Sequence, residues 1–165
     1  MEFAGTVAPR GATDDSSPPG IGPAGRFFHV SDRSSVVSML YLYIAAGGAL
    51  GALARYGLAG WVHGWAGGGF PWGTLAVNVT GAFLLGFMAR LLQGLASGPS
   101  VRGFIVIGFL GAFTTFSTFS YETMALLRDG EWVPGALYAA GSVAVALVGT
   151  LLGLGLAATI LRQGG

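Results

Sequence analysis

The sequence contains no cysteine, no lysine and little charge of either sign. Without cysteine it can form neither a disulfide framework nor a thiolate zinc site. Charged residues make up 9% of the 165 residues, against roughly 25% in soluble domains. The net charge of +1 provides no basic surface for nucleic acid. Hydrophobic residues make up 53%, and a soluble domain this small needs far more polar surface, so the composition predicts a membrane protein.

Long apolar runs account for nearly all of the chain after residue 38. A transmembrane helix needs about 20 mostly apolar residues, and the few charges of this region lie between such runs or interrupt them singly. The sequence therefore predicts an all-α, multi-pass membrane protein. Its four membrane-spanning helices are expected at about 39–62, 72–95, 103–127 and 133–161.

The first 38 residues have a different composition, rich in Pro, Gly, Ser, Thr and Asp. They lack the apolar core of a signal peptide. Two interpretations stay open for the segment 1–38. It is either a disordered extension, or the start codon has been assigned too early and Met39 is the natural first residue.

The arginines specify the orientation in the membrane only weakly. Four spans put both termini on one side, which carries Arg90, Arg102 and Arg162, whereas the other side carries Arg55 and Arg128. By the positive-inside rule, three against two is compatible with insertion either way round. Counting the arginines of the first 38 residues would favour a cytoplasmic N-terminus.

The first two runs each contain a feature that an apolar helix does not need. Gly47 and Gly51 are spaced for close helix packing in lipid. Arg55 lies about six residues before the predicted end of its helix; it either snorkels to the interface or places a positive charge at the mouth of an anion path.

Asn78 interrupts the second run, and its amide must find partners. Those partners are either a neighbouring helix or the contents of a polar pathway.

The third run is unusual because residues 108–120 contain five hydroxyl groups. Threonine and glycine are weak helix formers, so the pattern favours a helix that is broken in the middle of the membrane. Such a break is tolerated only where it is buried or lines a cavity, and its freed backbone groups can bind ions. The alternative is an intact helix whose hydroxyls bond to its own carbonyls.

Aromatic and polar side chains in the last two runs share helix faces. Phe116 and Phe119 are three residues apart; such a pair is usually core packing, but the positive edges of the rings could also stabilise a small anion. Glu122 is the only carboxylate within a span, and it marks either an interface or an ion route. Tyr138 and Ser142 lie four residues apart on the fourth helix. They either begin a thin polar track along that helix, or their hydroxyls bond to carbonyls within it.

Three blocks of sequence point to a family. They are residues 47–56 (GGALGALARY), 73–83 (GTLAVNVTGAF) and 108–120 (GFLGAFTTFSTFS). In this order, they resemble the CrcB/Fluc family of fluoride channels, and the Thr-Thr-Phe-Ser-Thr-Phe stretch is the strongest element. The resemblance covers about 127 of the 165 residues.

The resemblance implies a fluoride-specific ion channel of the cell membrane, built as an antiparallel, dual-topology dimer with a broken third helix in each subunit. Fluoride enters cells as its neutral acid and is trapped when the acid dissociates. A passive anion path then lets it leave along its electrochemical gradient, which lowers its toxicity. Some members of the family pair non-identical subunits, so a homodimer and a heterodimer with a paralogous subunit both stay open.

The resemblance also implies roles for individual residues. The amide of Asn78 and the ring edges of Phe116 and Phe119 meet fluoride, and the backbone carbonyls of Gly111 and Thr114 hold a structural sodium ion at the dimer centre. No organic cofactor is implied. Ala82 departs from the serine that is common at its position, which puts one hydroxyl contact in doubt. The further pore residues are Ser117, Thr118, Tyr138 and Ser142, and the residues near the pore mouths are Arg55 and Glu122.

Two other functions are disfavoured by what the chain lacks. A small multidrug-type antiporter also has four short helices, but it depends on a carboxylate in the first helix, where this chain has Arg55 and no acid. An enzyme would need a nucleophile with a base or paired carboxylates. The histidines are only His29 and His63, in the N-terminal segment and in a loop, so no such arrangement can be assembled.

Overall fold

Four helical segments run through the molecule in alternating directions. The computed structural model describes residues 30–164, which form helices joined by short turns. Four segments are long and apolar enough to cross a membrane, which confirms the prediction of an all-α, four-span protein. They are Val37–Ala66, Trp72–Gly94, Pro99–Arg128 and Trp132–Gln163.

Three of the four segments are single helices, and the third is a composite. The single helices are α1 (Val30–Ala66), α2 (Trp72–Gly94) and α6 (Trp132–Gln163). The third segment consists of α3 (Pro99–Arg102), a π-helix (Gly103–Leu110), α4 (Gly111–Phe113) and α5 (Phe116–Arg128).

The first helix differs most from its expected bounds. It begins at Val30 rather than at residue 39, and it continues to Ala66, where Gly67 with a φ of 81° ends it. A glycine in the left-handed region is a common helix stop. The expectation for residues 1–38 falls outside the described residues up to position 29, and the remainder of that segment lies within α1.

The alternating directions give the molecule two ends. At one end lie the turn at 95–98, the first residues of α1 and the last residues of α6; we call it the Gly98 end. At the other end lie the turns at 67–71 and 129–131, and we call it the Gly69 end.

Close glycine contacts hold the helices together. Gly47 and Gly51 of α1 face the backbone carbonyls of Phe104 and Phe109, so closely that a Cβ at either glycine would collide with them. Gly153 of α6 faces the carbonyl of Phe83 on α2 in the same way. Small residues permit such approaches in lipid, which confirms the packing interpretation of the first helix.

Large apolar side chains cover the outside of the bundle. Leu53 is 68% exposed and Leu151 67% exposed, whereas Val77 and Tyr138 are the only large side chains below 2% among the described residues. Soluble monomers rarely expose large apolar patches, whereas exposed large apolar side chains occur along all four segments here. This outer surface fits the hydrocarbon of a bilayer, which is where a multi-pass membrane protein places it.

Candidate functional site

The third segment is interrupted at Thr114 and Thr115. Thr114 has a ψ of 156°, and Thr115 has a φ of −147° and a ψ of 118°, so both residues are extended between α4 and α5. An extended pair inside a membrane segment frees backbone groups that must be bonded elsewhere. The partners of those groups define the site.

The side-chain amide of Asn78 pairs with the backbone of Thr115. Asn78 Oδ1 accepts the Thr115 N–H at 2.8 Å, and Asn78 Nδ2 donates to the Thr115 carbonyl oxygen at 3.0 Å. One side chain on α2 thereby satisfies a donor and an acceptor that the helix has released. A primary amide carries two N–H donors, so one donor of Asn78 is left after this pairing.

The hydroxyl of Thr115 begins the next helix. It accepts the Thr118 N–H at 3.2 Å and lies 3.2 Å from Ser117 Oγ and 3.0 Å from Thr118 Oγ1. Thr115 is buried, whereas Ser117 and Thr118 are exposed on the first turn of α5. Sequence reasoning gave Thr115 no role. The signal for it was a hydroxyl residue at the cap position before a helical run.

Two backbone carbonyls lose their helical donors at the interruption. In a continuous helix the Thr115 N–H would bond to the carbonyl of Gly111, and the Thr118 N–H to that of Thr114. Here those N–H groups donate to Asn78 Oδ1 and to Thr115 Oγ1. Gly111 is exposed and Thr114 is half-buried, so both lie where a ligand or a second chain can approach.

A groove of about 280 Å³ opens beside the interruption. It brings together several residues that the sequence singled out, and Ser142 in it is 6% exposed. Among the described residues, Ser142 Oγ is the one buried side-chain polar atom without a hydrogen-bond partner. The groove is lined by Asn78, Ala82, Leu85, Thr114, Thr115, Phe116, Phe119, Ser142, Val143, Ala146 and Thr150.

The two phenylalanines form the start of an aromatic row. The ring centroids of Phe116 and Phe119 are 5.5 Å apart, those of Phe119 and Tyr138 are 5.3 Å apart, and Phe70 meets Tyr138 edge-on at 5.3 Å. Tilted and edge-on rings are the favoured arrangements. Phe116 is 77% exposed, so the row runs from the outer surface to the buried ring of Tyr138.

The carboxyl group of Glu122 ties three segments together. It accepts hydrogen bonds from Thr74 Oγ1 at 2.8 Å and from the Tyr138 hydroxyl at 2.7 Å, which joins α5 to α2 and α6. Glu122 also lines a second groove of about 430 Å³, together with Tyr56 and His63, towards the Gly69 end. Sequence reasoning did not single out Thr74, because nothing local shows that it faces a residue 48 positions away.

Removing the tyrosine hydroxyl should weaken this three-way contact. For Tyr138→Phe, we expect an apparent melting temperature in detergent that is lower by several degrees. The reason is that Glu122 is only half-buried, so losing this donor costs about 1 kcal/mol, towards the lower end of the range for an unsatisfied acceptor. Tyr121→Phe is the matched control, because Tyr121 is 75% exposed on the same helix as Glu122. Equal melting temperatures for the two variants would contradict the assignment.

Arg55 lies further from the end of the first helix than expected, because α1 continues to Ala66. Ala66 is about 16 Å further along the axis of α1, at 1.5 Å per residue. Gly73 of α2 packs against the carbonyl of Ala59, and α1 and α2 run antiparallel, so Arg55 lies at about the depth of Val77. Arg55 lines neither groove.

Comparison with known proteins identifies relatives over most of the chain. Residues 42–154 match the family model described as CrcB-like protein, Camphor Resistance. Relatives from Thermus thermophilus and Geobacter sulfurreducens are 54% and 55% identical over 114 residues, or 68% of this chain and 89% and 92% of the relatives. A relative from Rhizobium meliloti is 44% identical over 116 residues, or 70% of this chain and 93% of the relative. Each of the three is named fluoride-specific ion channel FluC. The chain is therefore a member of the CrcB-like protein family.

Proposed function

We propose that this chain is a subunit of a fluoride-specific channel that lets cytoplasmic fluoride leave passively, and that it is not an enzyme. The observation that carries the proposal is the groove at the interrupted third segment. It places the amide of Asn78, the hydroxyl of Ser142 and the rings of Phe116 and Phe119 side by side. The relatives named fluoride-specific channels supply the identity of the anion.

The groove offers groups that can replace the water around a small anion. One N–H of Asn78 and the O–H of Ser142 are not used by the fold, and aromatic ring edges are electropositive. Selective pores use donors of this kind at close quarters in place of hydration. Fluoride is small and strongly hydrated, so several donors close together are the arrangement it requires.

A second subunit is needed to close the path. Phe116, Ser117 and Thr118 are exposed at the side of the bundle. The two hydroxyls contact only Thr115 Oγ1, so lipid at this side would leave part of their hydrogen-bonding capacity unused, at a considerable cost. We therefore propose that the subunits pair with each other across this side, in antiparallel orientation, and that the interruption of the third helix is kept in the pair. An identical chain and a paralogous chain both fit this proposal.

The carbonyls of Gly111 and Thr114 suit a sodium ion between the subunits. Both have lost their helical N–H donors to side chains, and hard cations bind oxygen ligands. Two carbonyls from each of two chains would make a site of four oxygens. The ion would place a positive charge at the centre of the pair and link the carbonyls of the two subunits.

The small multidrug-type antiporter receives no support from the structure. The span Val37–Ala66 contains no acid that could exchange protons for a drug. The carboxyl group of Glu122 is held by Thr74 and Tyr138. A passive channel needs no energy-coupling group, which agrees with this arrangement.

The variant Ser142→Ala distinguishes a role of Ser142 in fluoride efflux from a role in stabilising the fold. Because Ser142 Oγ bonds to nothing in the described chain, Ser142→Ala should leave the apparent melting temperature unchanged or raise it. Fluoride efflux should nevertheless fall about tenfold, since one lost hydrogen bond of about 1–1.5 kcal/mol corresponds to that factor.

Ser120→Ala is the control for Ser142→Ala. Its hydroxyl bonds to the Phe116 carbonyl of its own helix at 2.8 Å and lies outside the groove. The measurement is fluoride-electrode recording of efflux from proteoliposomes, with the melting temperature of each variant taken in detergent. Full fluoride efflux by Ser142→Ala would remove the groove from the path.

A further inference from the structure

An apolar groove of about 500 Å³ lies on the outside of the bundle towards the Gly98 end, between α1 and the third segment. The residues that line it from α1 are spaced i, i+3, i+4 and i+7, so they form one continuous stripe of the helix. The three largest of them are between 44% and 65% exposed, which leaves the groove open to the surrounding lipid. The four residues are Met39, Leu42, Tyr43 and Ala46.

The groove results from the way in which the third segment packs on α1. Gly103 lies so close to α1 that an added Cβ would collide with the side chain of Leu40 and touch that of Ile44. Leu40 and Ile44 therefore fill the seam between the two segments, and the lining stripe of α1 lies beside this seam. The opposite wall is formed by Val101, Phe104 and Ile105.

A positive charge stands at the outer end of the groove. Arg102 is exposed, and it lies next to Val101 and three residues before Ile105, both of which line the groove. Helical side chains lean towards the N-terminus of their helix, and the N-terminus of α3 is at the Gly98 end. The guanidinium group is thereby directed away from the membrane centre, towards the level of the lipid headgroups, where it can bind a phosphate by two hydrogen bonds.

The charges around this end of the molecule favour an anionic headgroup. Arg90 and Arg162 are exposed towards the same end. Asp32 and Arg33 are neighbours in the first turn of α1 and together carry no net charge. The carboxylates whose side chains the structure describes all lie towards the Gly69 end; they are Glu122, Asp129 and Glu131.

We propose that this groove binds an anionic phospholipid, with one acyl chain between α1 and the third segment and the headgroup phosphate on Arg102. In a bilayer any lipid chain can fill an apolar groove, so the groove alone gives no preference, and the arginine supplies it. Basic pockets between transmembrane helices bind anionic headgroups in this way. The bound lipid links α1 to the part of the third segment that precedes the interruption at Thr114.

A second apolar groove provides an internal comparison. It has a volume of about 440 Å³, lies towards the Gly69 end and includes Trp65, Ala66 and Trp72 in its lining. No arginine lies within one helical turn of a residue that lines it. This groove should therefore accept lipid chains without a preference for the charge of the headgroup.

The preference for an anionic headgroup is measured by native mass spectrometry of the purified chain. The chain is mixed in detergent with equal amounts of phosphatidylglycerol and phosphatidylcholine, and the bound lipids are counted. The parent chain should retain more phosphatidylglycerol, and Arg102→Gln should lower the ratio of the two lipids about fivefold, as expected for one arginine near a membrane surface.

Arg162→Gln is the control for Arg102→Gln. Arg162 is exposed towards the same end, but it lies on α6, which contributes no residue to the groove. The control should leave the lipid ratio unchanged. A ratio that Arg102→Gln does not lower, or that Arg162→Gln lowers equally, would overturn the proposal.

The position of the acyl chain is tested by filling the groove. Ala46 is exposed, so the ring of Ala46→Trp can occupy the groove without displacing the helices. Phosphatidylglycerol should raise the apparent melting temperature of the parent chain, because it binds the folded form, and Ala46→Trp should lose this effect. Ala66→Trp, the same change on the same helix in the second groove, should retain it.

Two results of this experiment would contradict the proposal. One is stabilisation of Ala46→Trp by phosphatidylglycerol to the same degree as the parent chain. The other is unchanged lipid retention by Ala46→Trp together with a smaller species on gel filtration, which would assign the groove to contact with a second copy of the chain. Neither measurement involves fluoride, so a failure here leaves the proposed channel function untouched.

Discussion

Replacement of Asn78 by aspartate should reduce fluoride efflux by about a hundredfold or more. The carboxyl group can still accept the Thr115 N–H, but an ionised carboxylate cannot donate to the Thr115 carbonyl oxygen, which Asn78 Nδ2 reaches at 3.0 Å. The substitution also removes the free donor of the groove and places a negative charge beside the proposed anion path. An unsatisfied buried carbonyl and a lost ligand bond together cost about 2–4 kcal/mol, which corresponds to roughly 30- to 900-fold, and repulsion between the carboxylate and the anion adds to this loss.

The control for Asn78→Asp is Thr80→Val on the same helix. Thr80 is exposed and lines neither groove, so its replacement should leave fluoride efflux within about twofold of the parent chain. Both variants are compared at equal amounts of folded protein, judged by gel filtration in detergent. Normal efflux by Asn78→Asp would show that the pairing with Thr115 and the free donor are both dispensable.

Replacement of Gly153 by leucine should prevent the chain from folding into its four-helix form. The backbone of α6 approaches α2 so closely at this point that a Cβ would collide with the carbonyl oxygen of Phe83 and lie 2.8 Å from the Phe87 nitrogen. Backbone cannot give way as a flexible side chain can, so the two helices must separate. Overpacking that is relieved by small shifts costs about 1–3 kcal/mol, and a larger cost is expected here.

Gly155→Leu provides a closely matched control. It lies two residues along the same helix, is exposed, and has no atom within 4 Å of an added Cβ. The change in helix propensity and the gain of bulk are the same in both variants, so neither can explain a difference between them. We expect Gly155→Leu to elute as a single gel-filtration peak and Gly153→Leu to aggregate. Equal yields of folded protein would contradict the packing of α2 on α6.

The number of spans could be predicted from the sequence because hydrophobic runs of this length have few alternatives. The length of the first helix could not. Its apolar run fades after Val62 into tryptophan, histidine and glycine, yet the helix continues until Gly67 takes a φ of 81°. That difference matters, because it moves Arg55 from near the end of the helix into its interior.

The residues of the candidate site could be predicted from the sequence, but the hydrogen-bond partners of those residues could not. Asn78 stood out as an amide in an apolar run, and the hydroxyl-rich stretch around Thr114 stood out as a poor helix. The pairing of Asn78 with Thr115 spans 37 positions, and that of Thr74 with Glu122 spans 48. Such pairings depend on the register between helices, which close glycine contacts set and which no local pattern reveals.

The most direct test of the account is anion efflux from liposomes that contain the purified chain, reconstituted from detergent. Fluoride is followed with a fluoride electrode, and chloride-loaded vesicles are measured in parallel, with Asn78→Asp as the inactive reference. The account predicts rapid loss of fluoride, retention of chloride, and little fluoride loss in the variant. Retention of fluoride by the folded parent chain, or loss of chloride as fast as fluoride, would contradict it.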